Sequence, residues 1–284
     1  MICFAILAHQ NEKILANQIA NIKKCNPNCI VVLYNGGRNK HFGKTLGIPI
    51  CPYSRPLRYG RLGRFFYDIM RWLEARGIHY DYLVNLDSDL MFVKPGYEQF
   101  LDQVMNGYDC MGFRLKAYRT PLASRHWLPG RSMWKEWKSW KPFFRSSYFY
   151  GTLNAMQVYR QGIVRKMLRN LNRIRLERLL KSTKVFALEE ILYVTLAARR
   201  KGRMRTYPHR SRRYVRLSRP LTLPEARRAK KDPYVYFAHP IRRTLHDPAR
   251  RLITQSSFPR QDVSASVRST RDSSASLLNT SIAE

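Results

Sequence analysis

The chain is short of negative charge. Against 52 Lys and Arg it carries only 19 Asp and Glu, a formal net charge of +33. Such a field draws polyanions: nucleic acid, an anionic membrane surface or a phosphorylated substrate. Cysteine is scarce too. The five cysteines are Cys3, Cys25, Cys29, Cys51 and Cys110, an odd number that cannot all pair. Cys25 and Cys29 have no second Cys/His pair at zinc spacing, so reduced thiols are expected rather than a zinc site. No apolar run reaches the length of a membrane span. Met1 to Ala8 is too short for a signal peptide and has no basic leader. These absences lead to the expectation of a soluble, cytoplasmic protein. There is no helix-turn-helix, zinc finger or RNP-type motif, and no internal repeat, so the basic charge has no nucleic-acid module to go with it.

Among what is present, Ile2 to Ala8 is a continuous apolar run, as in a buried parallel strand. Ile14, Leu15, Ile19 and Ile22 recur at helical spacing, which predicts a helix over 11–25. Cys29 to Tyr34 is a second buried strand, closed by Asn35-Gly36-Gly37. This strand–helix–strand start argues for a doubly wound α/β sheet. Residues 61–76 read as an amphipathic helix stopped by Gly77, and 82–86 as a strand that runs into Asp87-Ser88-Asp89. Further helices are expected over 155–181 and 187–200, and a strand or extended segment over 235–240. From residue 254 the chain is rich in Ser and Thr without periodicity, which predicts a disordered tail over 254–284.

Two carboxylates at i and i+2 directly after a buried strand mark the carboxyl end of a parallel sheet, where open α/β sheets bind ligands. A Mg²⁺ or Mn²⁺ held there by Asp87 and Asp89 neutralises a diphosphate and polarises it as a Lewis acid. The bland alternative is a solvated turn with capping aspartates, since so short a motif recurs by chance.

The stretch from Tyr82 through Asp87-Ser88-Asp89 to Val93 resembles the DxD segment of GT-A glycosyltransferases. The opening Phe4 to His9, followed by a helix, resembles the start of the branching N-acetylglucosaminyltransferase and xylosyltransferase family. The resemblance covers about residues 1–115 well and 146–250 loosely. It implies a GT-A, Rossmann-like mixed sheet flanked by helices, with 1–253 as a single catalytic domain. In that scheme 1–115 is the nucleotide-sugar half and 116–253 the acceptor half. It further implies a UDP-sugar or similar donor. Asp87 and Asp89 then meet ribose, metal and diphosphate, and His9 and Asn11 of the first turn face the nucleotide. Asp68 is a further candidate for a base or ribose contact, with a surface helix carboxylate as its alternative.

Sugar transfer with inversion needs a general base to take the acceptor hydroxyl's proton. Glu189 and Glu190 are an isolated acidic pair in a basic region and fit that role, with Glu189 the first choice. A surface ion pair is the alternative. His239 can complete a metal site with the aspartates, or be a structural histidine. Arg242 and Arg243 can instead neutralise the leaving diphosphate, as basic residues do in the branching family, so metal dependence stays open. Gly151 to Asn154 is expected on the acceptor side, because glycine lets backbone approach a bulky ligand.

The stripe in 155–181 suits an anionic bilayer or a packed core, and Trp134, Trp137 and Trp140 suit an interfacial belt, a sugar face or a core. The expected partners are therefore a nucleotide-sugar donor and a carbohydrate or lipid-linked acceptor, with an anionic membrane surface as a peripheral site. Two other classes remain: a basic nucleic-acid-binding protein, and a sugar-nucleotide-binding protein without activity. A nucleotidyltransferase ranks lower, because His9-Gln10-Asn11-Glu12 has no glycine-rich loop after the first strand.

Overall fold

The computed structural model describes residues 1–169 and 171–255. The chain opens with β1 (Ile2–Ala8), α1 (Glu12–Cys25), β2 (Ile30–Asn35), α2 (Phe65–Ala75) and β3 (Tyr82–Asp87). The short β4 (Met91–Phe92), α3 (Tyr97–Val104), β5 (Cys110–Gly112) and β6 (Lys116–Tyr118) follow. Next come α4 (Leu128–Lys135), α5 (Trp137–Phe144), β7 (Phe149–Gly151), β8 (Val158–Arg160) and α6 (Gln161–Arg169). The described chain closes with α7 (Arg173–Ser182), α8 (Leu192–Arg199), β9 (Met204–Thr206), α9 (Leu223–Lys231), β10 (Phe237–Ala238) and α10 (Pro248–Gln255).

The main sheet has the order β2-β1-β3-β8-β5-β9. β1 pairs in parallel with β2 and β3, with Ala5 opposite Val32 and Asn85. β8 runs antiparallel between β3 and β5, so the sheet is mixed, as expected. Period-2 alternation sorts its side chains onto two cores. Ile2, Phe4 and Ile6 of β1 pack with α1 and α3 on one face. Cys3 and Ala5 pack with α2, α6 and α8 on the other. The same alternation along β3 sends Leu83, Asn85 and Asp87 to the α2–α8 side, which places the first aspartate of the motif on that side.

Several elements differ from the sequence reading. The expected helix over 155–181 is a strand, β8, followed by two helices. β8 is needed to extend the sheet beyond β3, and Asn172 starts α7 by accepting a hydrogen bond from the Arg175 N–H. The apolar stripe does not lie on a surface in α6: Ile163, Val164, Met167 and Leu168 are buried in the core. Residues 188–190 form a tight 3₁₀ turn before α8. α10 runs through Thr254 to Gln255, so the ordered chain extends past the expected start of the tail. The rest of the expected disordered tail, from residue 256, lies outside the described residues. Trp140 is buried, and Trp134 and Trp137 pack on Phe149, so these three serve the core. Among the described residues no helix is long and apolar enough to cross a membrane.

Candidate active site

The Asp87-Ser88-Asp89 turn follows β3 at the carboxyl end of the parallel strands and is fastened from beneath. Gln18 of α1 donates to the carbonyls of Asp87 (2.8 Å) and Leu90 (2.9 Å). Asn21, one turn further on, brackets Phe92 by donating to its carbonyl (2.9 Å) and accepting from its N–H (2.8 Å). These buried amides replace the ladder bonds that the chain loses where it leaves the sheet.

β10 brings His239 to the turn. Its Nε2 lies 3.3 Å from Asp89 Oδ1 and 3.7 Å from Asp87 Oδ2. Its Nδ1 lies 2.9 Å from the Arg216 carbonyl, a partner that only accepts, so Nδ1 carries a proton and donates. In its neutral form the ring presents a lone pair from Nε2 toward the aspartates, the arrangement that metal-binding histidines use. One ligand atom from each of Asp87, Asp89 and His239 fits within 4.8 Å of the others. Asp89 Oδ1 is buried and accepts no well-aligned hydrogen bond. Two carboxylate oxygens, that of Asp89 unsatisfied, and one imidazole nitrogen fit a Mg²⁺ or Mn²⁺.

Electrostatics separate the two aspartates. Burial pushes the Asp87 carboxyl up, with Asp89 adding to it and His239 opposing. Burial also acts on Asp89, but His239 and the Arg243 guanidinium hold it below the usual range. Arg243 Nη2 sits 3.0 Å from Asp89 Oδ2. For His239, burial favours the neutral ring and the two aspartates override it, raising its pKa.

The Glu189-Glu190 pair faces the same space. Both residues, with Asp87, Asp89, His239 and Arg243, line one cavity of about 860 Å³. Burial pushes Glu189 up to about 8 and Glu190 up to about 7. Their surroundings differ. Glu189 is 2% exposed, and its Oε2 has no hydrogen-bond partner. Glu190 Oε2 accepts from the Trp127 indole N–H (3.1 Å), and its Oε1 from the Asn154 backbone N–H (3.3 Å). Asn154 also donates from Nδ2 to Asp87 Oδ1 (3.0 Å) while its own carbonyl groups accept from Asn85. Asn154 thus bridges the two carboxylate groups.

Other expected residues divide. His9 is exposed and lines the cavity. Asn11 lines it too, but its side chain is spent as the cap of α1, accepting from the Ile14 N–H at 3.1 Å. Asp68 is not among the lining residues. It is fully buried within α2, hydrogen-bonded by Tyr34 (3.3 Å) and 3.6 Å from Arg64, and burial lifts it to about 6. It is core because the apolar face of α2 turns inward and carries Asp68 with it. Arg242 is exposed and also outside the lining, and its carbonyl accepts from Arg250. Of the two arginines, only Arg243 reaches the motif. Sequence reasoning gave Trp127 no role here. It stacks on Tyr118 at 4.6 Å and reaches Glu190 across 63 residues, with no local pattern to announce it.

No family model and no curated protein matches the chain. Solved structures similar to it include the galactosyltransferase LgtC in complex with donor and acceptor sugar analogues. That match has 10% identity over 90% of this chain and 84% of the other, with a TM-score of 0.40. An active-site mutant of LgtC matches at 11% over the same shares, also at 0.40. A197 from STIV matches at 12% over 72% of this chain and 81% of its own, at 0.34. Matches this distant leave the reaction to be read from the site's own geometry.

Proposed function

We propose that the protein is a glycosyltransferase, moving a sugar from a nucleoside diphosphate donor to an acceptor hydroxyl. The observation that carries this reading is the single cavity in which a candidate divalent-cation site (Asp87, Asp89, His239) and a buried carboxylate pair (Glu189, Glu190) meet through Asn154. A diphosphate leaving group needs its charge neutralised, and the acceptor needs a base. Groups suited to both requirements line one cavity, which supports this reading.

Asp87, Asp89 and His239 would hold the cation, and the histidine nitrogen favours Mn²⁺ over Mg²⁺. When bound, the cation supplies Lewis acidity and a template for the diphosphate. Arg243 adds a fixed positive charge beside it. The 1–115 half supplies His9, Asp87 and Asp89 around the nucleotide. The 116–253 half supplies the acceptor side and the base, and from its end His239 and Arg243 for the cation site. We assign the base to Glu190, whose ionised form is steadied by two N–H donors, while the deeper Glu189 stays protonated. Glu190 takes the hydroxyl proton as the acceptor oxygen bonds to the anomeric carbon. The bond from that carbon to the diphosphate oxygen breaks on the Asp89 side, and the nucleoside diphosphate leaves. A single displacement of this kind inverts the anomeric carbon. Trp127 offers an aromatic face for a sugar ring.

The test is calorimetric titration with UDP, GDP and UDP-sugars, with Mn²⁺ or with EDTA, on the protein and on Asp89→Ala. Binding that needs Mn²⁺ and Asp89 supports the reading. Binding that survives EDTA but is lost in Arg243→Ala replaces the cation with arginine. Absence of binding to any nucleoside diphosphate overturns the transferase and favours the nucleic-acid alternative.

A further inference from the structure

The cavity does not end at Glu190. His126, Trp127, Leu153 and Leu217 line both it and a second cleft of about 1010 Å³. That cleft shares Arg114, Leu153 and Arg212 with a third, of about 930 Å³. The three share walls and make one groove, whose junction with the site includes Trp127, the hydrogen-bond partner of Glu190.

The groove is cationic along its whole length. Arg114, Lys116 and Arg125 line its first part. Arg210, Arg212, Arg213, Arg228 and Lys231 line the second. Among the described residues the only carboxylate lining either cleft is Asp232, and Arg213 lies 3.7 Å from it. Elsewhere the chain uses its scarce acids to pair its arginines: Arg64 with Glu177, Arg165 with Glu74, Arg216 with Glu225. A run of unneutralised guanidinium groups repels itself and costs stability unless a partner brings negative charge. Aromatic faces lie between the charges. Tyr234 is 48% exposed, with the Arg210 guanidinium 4.7 Å from its ring centre, and Trp127 stacks on Tyr118 at the inner end. Guanidinium forks match phosphate and carboxylate oxygens, and aromatic planes match sugar rings.

We propose that this groove holds the acceptor, and that the acceptor is an anionic carbohydrate chain, bearing phosphate or carboxylate groups, whose terminal hydroxyl is led to Glu190. This rests on the glycosyl-transfer reading above. It assigns the positive charge of the groove to a substrate track. It also accounts for the near absence of carboxylates from the lining of the two clefts: a carboxylate along the track would repel the substrate, whereas the base at its inner end must be one.

The test measures binding of poly(glycerol phosphate), oligogalacturonate, neutral dextran and single-stranded DNA by fluorescence anisotropy over a series of salt concentrations. The full chain is compared with Arg212→Glu/Arg228→Glu. A control with the same change of charge, Lys166→Glu/Arg175→Glu, lies on exposed positions of α6 and α7 outside the groove. The expected result is salt-sensitive binding of one or both anionic chains, weakened at least about tenfold by the groove variant and less than about twofold by the control. The better-bound chain names the charged group. Equal loss in the two variants, or dextran binding as tightly as the anionic chains, overturns the proposal. DNA that binds more tightly than either chain and displaces it from the groove also overturns it, in favour of a nucleic-acid site. UDP with Mn²⁺ is titrated alongside. Retained nucleotide binding with no anionic chain in the groove removes this acceptor and leaves the transferase standing. Groove binding without nucleotide binding removes the transferase instead. Circular dichroism of each variant confirms that it is folded.

Discussion

The indole N–H of Trp127 donates to Glu190 Oε2 at 3.1 Å, tying the start of the tryptophan-rich segment to the carboxylate assigned as base. That hydrogen bond favours the ionised form and opposes the burial that raises Glu190 to about 7. A hydrogen bond to a charged group is worth roughly 1.5–3 kcal/mol, and a pKa unit about 1.4 kcal/mol. Trp127→Phe, which keeps a ring against Tyr118, is therefore expected to move the acid limb of kcat/KM upward by about one to two units. A pH–rate profile checks this. An unchanged limb with a lower plateau would mean that Trp127 only shapes the pocket.

The two glutamates are expected to respond differently to amidation. A base with a pKa of about 7 must be ionised, so kcat/KM falls as pH drops below that value. Glu190→Gln is expected to lower kcat by at least about 100-fold, within the usual range for losing a general base. Glu189→Gln is expected to leave a larger share of the activity. If Glu189→Gln is the inactive variant and Glu190→Gln is not, the roles are reversed.

Stability gives an independent reading of Glu189. Burial raises its pKa from 4.5 to about 8. The folded state binds the proton more tightly than the unfolded state. The stability it contributes is fully present below pH 4.5 and is lost as pH rises through about 8. Glu189→Gln cannot ionise and is expected to gain melting temperature on the parent as pH rises through this window. A constant difference across the window would show that Glu189 is not buried as a neutral acid.

Removing either side of the cation site should cost metal. Asp89→Ala and His239→Ala are each expected to weaken Mn²⁺ binding at least about tenfold, measured by titration calorimetry or paramagnetic relaxation. Asp68→Asn, outside the cavity, is expected to leave Mn²⁺ affinity unchanged. Mn²⁺ affinity equal in all three variants would place the ion elsewhere.

Gly151 provides a packing test. A Cβ added there would lie 2.3 Å from the Trp127 ring and 2.8 Å from Tyr118. Gly151→Ala is expected to displace Trp127 and to destabilise the fold by about 1–3 kcal/mol, the usual cost of overpacking. Its acid limb should shift in the same direction as that of Trp127→Phe. Destabilisation without that shift would mean that the indole keeps its bond to Glu190.

The local sequence determined the first half of the molecule. β1, α1, β2 and β3 are apolar runs and stripes whose period follows from backbone geometry, so they were legible residue by residue. So was the position of Asp87-Ser88-Asp89 at the end of β3. Further along, local pattern was a poorer guide. The stretch 155–181 has helical spacing throughout, yet its start is drawn into the sheet as β8, because the edge bonds of β3 need a partner and local propensity is weaker than that demand. Asp68 and Arg242 were plausible by chemistry and are turned away by the faces of the elements that carry them. What only the tertiary structure decided is which distant groups meet: His239 with Asp89, Asn154 with both Asp87 and Glu190, Trp127 with Glu190. These pairings are set by sheet order and packing between residues far apart in the chain. No periodicity in a single sequence encodes them.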